Sequence, residues 1–164
     1  SSSVLKTLID EAVATPAKAG ISVNPILYKN EGLLVVRVEV KAAEDGLFKV
    51  GTWLLEDGIT GIQTDYDGLK RKYPEYDYDT HESCVRITDS RYDGKFEGHP
   101  LGEMKAGQTV SKTFVLELKE SWKAENLHLA VFVSNGKVSG KNVSYSVCNV
   151  VDAPVGAATP YEYK

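Results

Sequence analysis

The sequence is poor in the residues and patterns that announce a chemistry. Among 164 residues there are two cysteines and one methionine. Cys84 and Cys148 show neither CxxC spacing nor a histidine pair nearby, so they cannot assemble a four-ligand zinc site. There is no excess of positive charge: 19 Lys plus Arg stand against 23 Asp plus Glu, for a net charge of -4. That balance removes the electrostatic footprint of a nucleic-acid binder. No apolar run approaches the length needed to span a bilayer. No basic segment leads into a hydrophobic one at the start, so the expectation from these residues is no signal peptide among them. Ser1-Ser2-Ser3 stands where an initiator methionine would, and the only methionine is Met104. The start therefore reads as a cut. Phosphate-cradling GxGxxG and GKS/T loops are missing, as are HExxH and GxSxG. His81, His99 and His128 share no metal spacing, and Ser83 near His81 does not make a triad. The expectation is a protein with no cofactor and no enzymatic activity.

What is present is patterning. A hydrophobic content of 42% with 26% charged residues fits one globular domain with a real core. Val4, Leu5, Leu8, Ile9, Ala12 and Val13 recur at helical spacing, with Ser3 as N-cap and Pro16 and Gly20 as the stop. Such an amphipathic helix needs a surface to bury against. Beyond Gly20 the period changes to alternation. Ile21 to Tyr28 predicts a strand in which Pro25 argues for an edge or a bulge. Leu34, Val36, Val38 and Val40 alternate with Arg37, Glu39 and Lys41, the clearest half-buried strand in the chain. Leu47 to Leu55 is largely apolar on both faces and reads as a central strand anchored by Trp53. Further strands are predicted at Cys84 to Thr88, from Val110 to Leu118, at Leu127 to Val133 and at Val143 to Val147, with Asn135-Gly136 as a hairpin turn. About seven strands joined mostly by short turns predict an all-β fold, an immunoglobulin-like antiparallel sandwich with one N-terminal helix.

Two stretches stand outside this pattern. Glu56-Asp57-Gly58 opens a long irregular segment reaching Thr80, and a second loop runs through Tyr92, His99 and Gly102. Loops this long inside a compact domain are often functional. Asp65-Tyr66-Asp67-Gly68 suggests calcium, but the third acidic position and the closing glutamate of an EF-hand are missing. Tyr66, Tyr73, Tyr76 and Tyr78, interleaved with Asp77 and Asp79, form a candidate recognition surface. Tyrosine offers a flat apolar face and a hydroxyl, and carboxylates accept from sugar hydroxyls or basic side chains. Tyr73, Tyr76, Asp77, Tyr78 and Asp79 are the candidate ligand-binding residues. The competing reading is that the tyrosines cover the end of the core and the aspartates cap their own backbone. Lys70-Arg71-Lys72 reads as a solvated face, and Asn142-Val143-Ser144 as a chance glycosylation sequon. For Cys84 and Cys148, a long-range disulfide and two separate half-buried thiols both stay open.

Three blocks then carry a resemblance. The first is Gly51-Thr52-Trp53-Leu54-Leu55-Glu56-Asp57-Gly58-Ile59-Thr60-Gly61-Ile62-Gln63 with His81-Glu82-Ser83-Cys84-Val85-Arg86; the second is Asn126-Leu127-His128-Leu129-Ala130-Val131-Phe132-Val133, shortly after Trp122. The third is Val147-Cys148-Asn149-Val150-Val151-Asp152-Ala153-Pro154-Val155-Gly156. In this order, over about residues 20 to 160, they resemble the C-terminal domain of the twenty-eight-kilodalton outer-membrane protein family of Bacteroidetes.

The resemblance implies a secreted, typically lipid-anchored envelope protein, several of whose relatives are described as adhesins. An upstream thioredoxin-like domain often precedes this one. Residues 1–19 would then be a linker helix left from that domain, and residues 20–164 the sandwich. The implied location is the cell envelope, outer-membrane-associated, periplasmic or extracellular. The implied partner is a protein or glycan at the cell surface, not a nucleic acid, and any membrane contact would run through an anchor outside this chain. The family offers no catalytic set to carry over. An alternative role is an accessory spacer supporting the upstream domain.

Overall fold

A computed structural model of the chain describes residues 2–65 and 68–163, leaving aside the side chains of Ser2, Ser3, Leu8 and Ala12. Helix α1 spans Ser2–Ala14, so it begins before Ser3, and the chain then leaves helical geometry ahead of Pro16. Two antiparallel sheets follow. The first holds four strands in the order β11-β1-β2-β8: β1 Ala19–Tyr28, β2 Leu33–Ala42, β8 Thr109–Glu117 and β11 Thr159–Glu162. The second holds β10-β9-β3-β6, with β7 also paired to β3. These are β3 Gly46–Glu56, β6 Cys84–Asp89, β7 His99–Met104, β9 Leu127–Ser139 and β10 Asn142–Pro154. A small ribbon of β4 Ile59–Thr60 and β5 Thr80–His81 rises from the β3–β6 connection.

The alternation in the sequence becomes the core. Leu34, Val36, Val38 and Val40 of β2, Ile21 and Val23 of β1, and Phe114 and Leu116 of β8 are buried. They meet Phe48, Val50 and Leu54 of β3 and Leu129, Val131 and Val133 of β9 in one cluster. Each such side chain contributes about 1.5–3 kcal/mol by leaving water. As expected, β3 is central; its inner face is fully buried, while Leu47, Lys49 and Trp53 on its outer face are half-buried. On its outer face Trp53 meets Phe132 edge-on at 6.0 Å between centroids and donates from Nε1 to Ser90 Oγ at 2.9 Å. Pro25 is opposite Val36, beyond the reach of β11, which covers β1 only from Ile21 to Val23. At Pro25 strand β1 is therefore an edge, where a missing N–H costs nothing.

The strand count exceeds the expected seven. β7, β11 and the β4–β5 ribbon lie in segments read as loop or coil, while β9 and β10 run longer than their apolar cores. Asn135-Gly136 is not the hairpin turn: Gly136 pairs with both Leu47 and Tyr145. A Cβ there would sit 3.0 Å from Leu47 Cβ and from the Tyr145 ring, so the glycine serves close strand approach. The turn comes at Gly140, whose φ of +62° lies in the left-handed region.

Among the described side chains of helix α1, the apolar ones stand open to solvent. Val4, Leu5 and Ile9 are more than half exposed and Val13 is 82% exposed. Cys84 and Cys148 are free thiols. Cys84 registers with Glu56 at one end of β3, and Cys148 with β9 residues that face Lys49 and Val50 nearer the other. Roughly 20 Å of strand length and two intervening strands separate them, against the ~7 Å limit on Cα separation for a bridge. In this fold the two cysteines do not meet.

Candidate functional site

The connection from β3 to β6, residues 57–83, stands at the end of the sandwich where β9 begins and β10 finishes. It is assembled largely by carboxylates accepting from backbone N–H groups. Asp65 accepts from the Leu69 and Lys70 amides at 2.7 and 3.1 Å, capping the single turn α2 at Leu69–Lys72. Asp77 Oδ1 accepts from the amides of Asp79 and Thr80 at 2.9 and 3.1 Å. Asp79 Oδ1 accepts from the Gln63 amide at 3.0 Å and from Lys70 Nζ at 2.6 Å. At Asp77 and Asp79 these bonds favour the charged carboxylate. Lys70 and the Gln63 amide hold Asp79 below the usual carboxylate range, and Thr80 with the Asp79 amide does the same for Asp77.

On this frame the tyrosines form a chain of edge-to-face rings. Tyr73 and Tyr76 lie 6.4 Å apart between centroids, as do Tyr76 and Tyr78. Tyr78 donates from its hydroxyl toward the carbonyls of Tyr73 and Leu69 at 3.1 and 3.3 Å. Partial burial, then the nearby Glu75 and Asp65 charges, push its phenol pKa up. Tyr73 is exposed and Tyr76 is 64% exposed. The fold thus brings Tyr73, Tyr76, Asp77, Tyr78 and Asp79 into one loop, and gives the tyrosines and the aspartates different work. Tyr66 and Asp67, and with them half of the calcium motif, lie outside the described residues. Among the described residues no three His, Cys, Asp or Glu side chains gather as a metal site.

The root of this loop is anchored by residues that the sequence did not single out. Glu56 is fully buried and accepts from Arg86 Nε at 2.7 Å and from the Lys123 amide at 2.9 Å. The Arg86 guanidinium also lies over the Trp122 ring at 5.6 Å. His128, placed on the outer face of β9 by its alternation with Leu127 and Leu129, sits between two aspartates. Its Nδ1 is 2.6 Å from Asp152 Oδ1 and its Nε2 is 3.3 Å from Asp57 Oδ1, the latter out of line for a hydrogen bond. Burial alone favours a neutral ring, but Asp152 and Asp57 outweigh it and raise the His128 pKa above 6.5. Asp57 accepts from the amide of Ser83, which holds its pKa low with help from the His128 charge. Ser83 itself sits at a φ of +53°. Asp57 and Asn126 complete the root by exchanging backbone and side-chain hydrogen bonds at 3.0 Å. The sequence could have offered only one hint of this clasp: a histidine facing away from the core among apolar neighbours.

The opposite end is different. There a cleft of about 810 Å³ opens beside the linker after α1, bordered by the Lys18–Glu44 ion pair at 2.7 Å, by Val147 and by Cys148. Burial pushes the Cys148 thiol pKa up.

Among the described residues no helix is long and apolar enough to cross a membrane. A family model described as "Outer membrane protein Omp28" matches residues 3–159, a span that takes in α1 as well as both sheets. No curated protein and no solved structure matches the chain.

Proposed function

The chain belongs to the Omp28 outer membrane protein family, and from that premise we propose that it acts by binding rather than catalysis, as a recognition or adhesion module of the cell envelope. The observation that carries this reading is the Tyr73–Tyr76–Tyr78 ring chain, displayed on a loop whose shape is fixed independently by Asp65, Asp77 and Asp79. Aromatic faces presented on a rigid frame bind with little loss of side-chain freedom. The partner is a protein or glycan at the cell surface, and membrane attachment is supplied from outside these residues.

The immunoglobulin-like topology is part of the same proposal. The order β1-β2-β8 facing β10-β9-β3-β6 parallels the A-B-E and G-F-C orders of that fold, with β11 added beside β1. Loops at the ends of such sandwiches are its usual recognition elements.

The test is retention of the purified chain on arrayed envelope glycans and envelope proteins. Tyr73→Ala and Tyr76→Ala together should reduce retention by about tenfold or more while the melting temperature stays put, since both rings are exposed. Retention unaffected by the pair would overturn the reading. A second role, as an accessory spacer for a thioredoxin-like neighbour, is favoured by the uncovered apolar face of α1. It requires that Ile9→Asp and Val13→Asp change the neighbour's activity in the longer protein; identical activity would exclude it.

A further inference from the structure

We propose that the chain pairs with a second copy of itself through the free edge of β10, strand against antiparallel strand about a two-fold axis. The proposal stands apart from the binding reading above and starts from the hydrogen bonds that β10 leaves open. β10 pairs with β9 alone. At Asn149 it is tied to the first sheet, where Nδ2 donates to the Ala19 and Glu162 carbonyls at 2.9 and 2.8 Å. From Asn142 to Val147, among the described residues, no hydrogen bond is made outside the β9 ladder. Such an edge presents a row of unpaired N–H and C=O groups that one more strand completes. The other edges are guarded. β11 is four residues long and holds Pro160, and the uncovered part of β1 holds Pro25. Lys112 stands midway along β8, Arg86 midway along β6, and Pro100 and Glu103 in β7. Residues 142–148 hold neither charge nor proline.

The order of residues names the occupant. Val143-Ser144-Tyr145-Ser146-Val147 reads the same in both directions. In an antiparallel pair centred on Tyr145 every residue therefore meets its own kind. Val143 faces Val147 of the second copy, Ser144 faces Ser146 of the second copy, and the two Tyr145 residues face each other. Like pairs of β-branched, hydroxyl and aromatic side chains are the cross-strand combinations that stabilise a sheet. Alternation sets the valines and the tyrosine on one face and the serines on the other. Both faces have surface to cover: Val147 is 60% exposed, both serines are exposed, and Val143 and Tyr145 are half-buried. Charge agrees. Two chains of net charge -4 repel at a distance, but the paired segment opposes no like charges. The two-fold also carries Lys141 of each copy toward Asn149 of the other, beside the cleft that Glu44, Asp45 and Cys148 border. An unrelated extended peptide satisfies the backbone equally well but gains nothing from the palindrome. Since β10 starts at the cleft and ends at the opposite pole, the pairing sets the two tyrosine loops at opposite ends of the dimer.

Sedimentation equilibrium of the whole chain from about 1 to about 500 μM reads the association. The mass should rise from one chain toward two. Val147→Lys sets a charge against Val143 of the second copy and should raise the dimer dissociation constant by about tenfold or more. Val115→Lys, at a valine 58% exposed on the first sheet, should leave that constant unchanged. The register is read without disturbing the valines. Chains carrying Ser144→Cys are mixed equally with chains carrying Ser146→Cys and oxidised, and the disulfides are identified by peptide mass. The mixed 144–146 disulfide should exceed each like-with-like disulfide by about tenfold, because facing residues lie about 4.5–5.5 Å apart between Cα atoms while like positions sit on the diagonal. A single-chain mass at every concentration overturns the proposal. So does a dimer that Val147→Lys leaves intact, or a set of disulfides in the proportions of random pairing. Loss of the dimer on Ile9→Asp with Val13→Asp, but not on Val147→Lys, overturns it in favour of pairing through α1.

Discussion

The two ends of the sandwich are built on opposite principles. At the end that carries residues 57–83, long connections are tied down by charged side chains reaching backbone N–H groups. Glu56 holds Lys123, Asp57 holds Ser83, and Asp65, Asp77 and Asp79 hold the loop itself. At the other end β2 passes to β3, β7 to β8 and β9 to β10 through tight turns that the backbone closes largely by itself. Gly107 N–H donates to Ala42 O and Ala43 N–H to Lys18 O, both at 2.8 Å. Asp45 adds the Ala106 amide and Lys105 from an exposed position. The lesson is that a long loop can be as well specified as a short turn, provided buried or paired carboxylates replace the missing strand partners. The cost is that its order depends on charge.

The sharpest way to break this comparison is to remove one carboxylate from each end. Glu56→Ala leaves Arg86 and the Lys123 amide without their acceptor in a largely buried setting and should cost about 3 kcal/mol in urea unfolding. Asp45→Ala, in an exposed ion pair, should leave the urea midpoint nearly where it was. Equal effects would mean the ends do not differ in this way. A smaller change should come from a site that belongs to neither end. Thr52 is fully buried in the middle of β3, and its hydroxyl has no partner among the described residues. Thr52→Val keeps the shape and should raise stability by about 1 kcal/mol without altering the difference between the Glu56 and Asp45 variants.

The finest distinction is in pH. Asp57, Asp77 and Asp79 titrate below their ordinary 3.8 in the folded chain, so their contribution is present above that value and lost as pH falls through the lowered folded pKa. His128 titrates above its ordinary 6.5, so its contribution is complete below 6.5 and lost as pH rises through the raised folded pKa. Amide-exchange protection of Gln63, Thr80 and Ser83 should therefore be greatest between about pH 4 and about pH 6.5. His128→Asn should remove the decline on the alkaline side only. Amides of the 105–108 turn, with no histidine nearby, should show no alkaline decline. A flat alkaline profile for Ser83 in the native sequence would discard the His128 clasp.

Much of the scaffold was legible in the chain because burial on one or both faces leaves a periodic mark. Leu34 to Val40 and Leu47 to Leu55 declare their places directly, and Pro25 its edge. β7 carries Pro100 and Gly102 and no alternation; it is a strand only because β3 offers it a free edge. Gly98 lets it in, since a Cβ there would stand 2.8 Å from the Val50 carbonyl carbon. Asn135-Gly136 misled because the same glycine that suits a turn also suits close strand approach. In the site, the tyrosine cluster was visible as composition. The division of labour was not, because whether an aspartate faces solvent or a backbone amide is decided by a turn several residues away. Glu56 looked like the first residue of a loop and is the last of a buried strand. The His128 clasp depends on pairing β9 with the far end of β10, a register that local sequence does not contain.

The pairing of β1 with β11 sets Ile21 beside Glu162. Both ends of the sandwich chain therefore emerge at the same pole, beside the cleft and away from the tyrosine loop. A tether attached to either end of the sandwich at that pole would hold the tyrosine loop at the far one. The arrangement also sets the mechanical response. Tension applied between the two ends would open β1 from β11 one hydrogen bond at a time, as a zipper parts, whereas tension between the tether and a bound partner would load the long axis of the strands, where many bonds share the force.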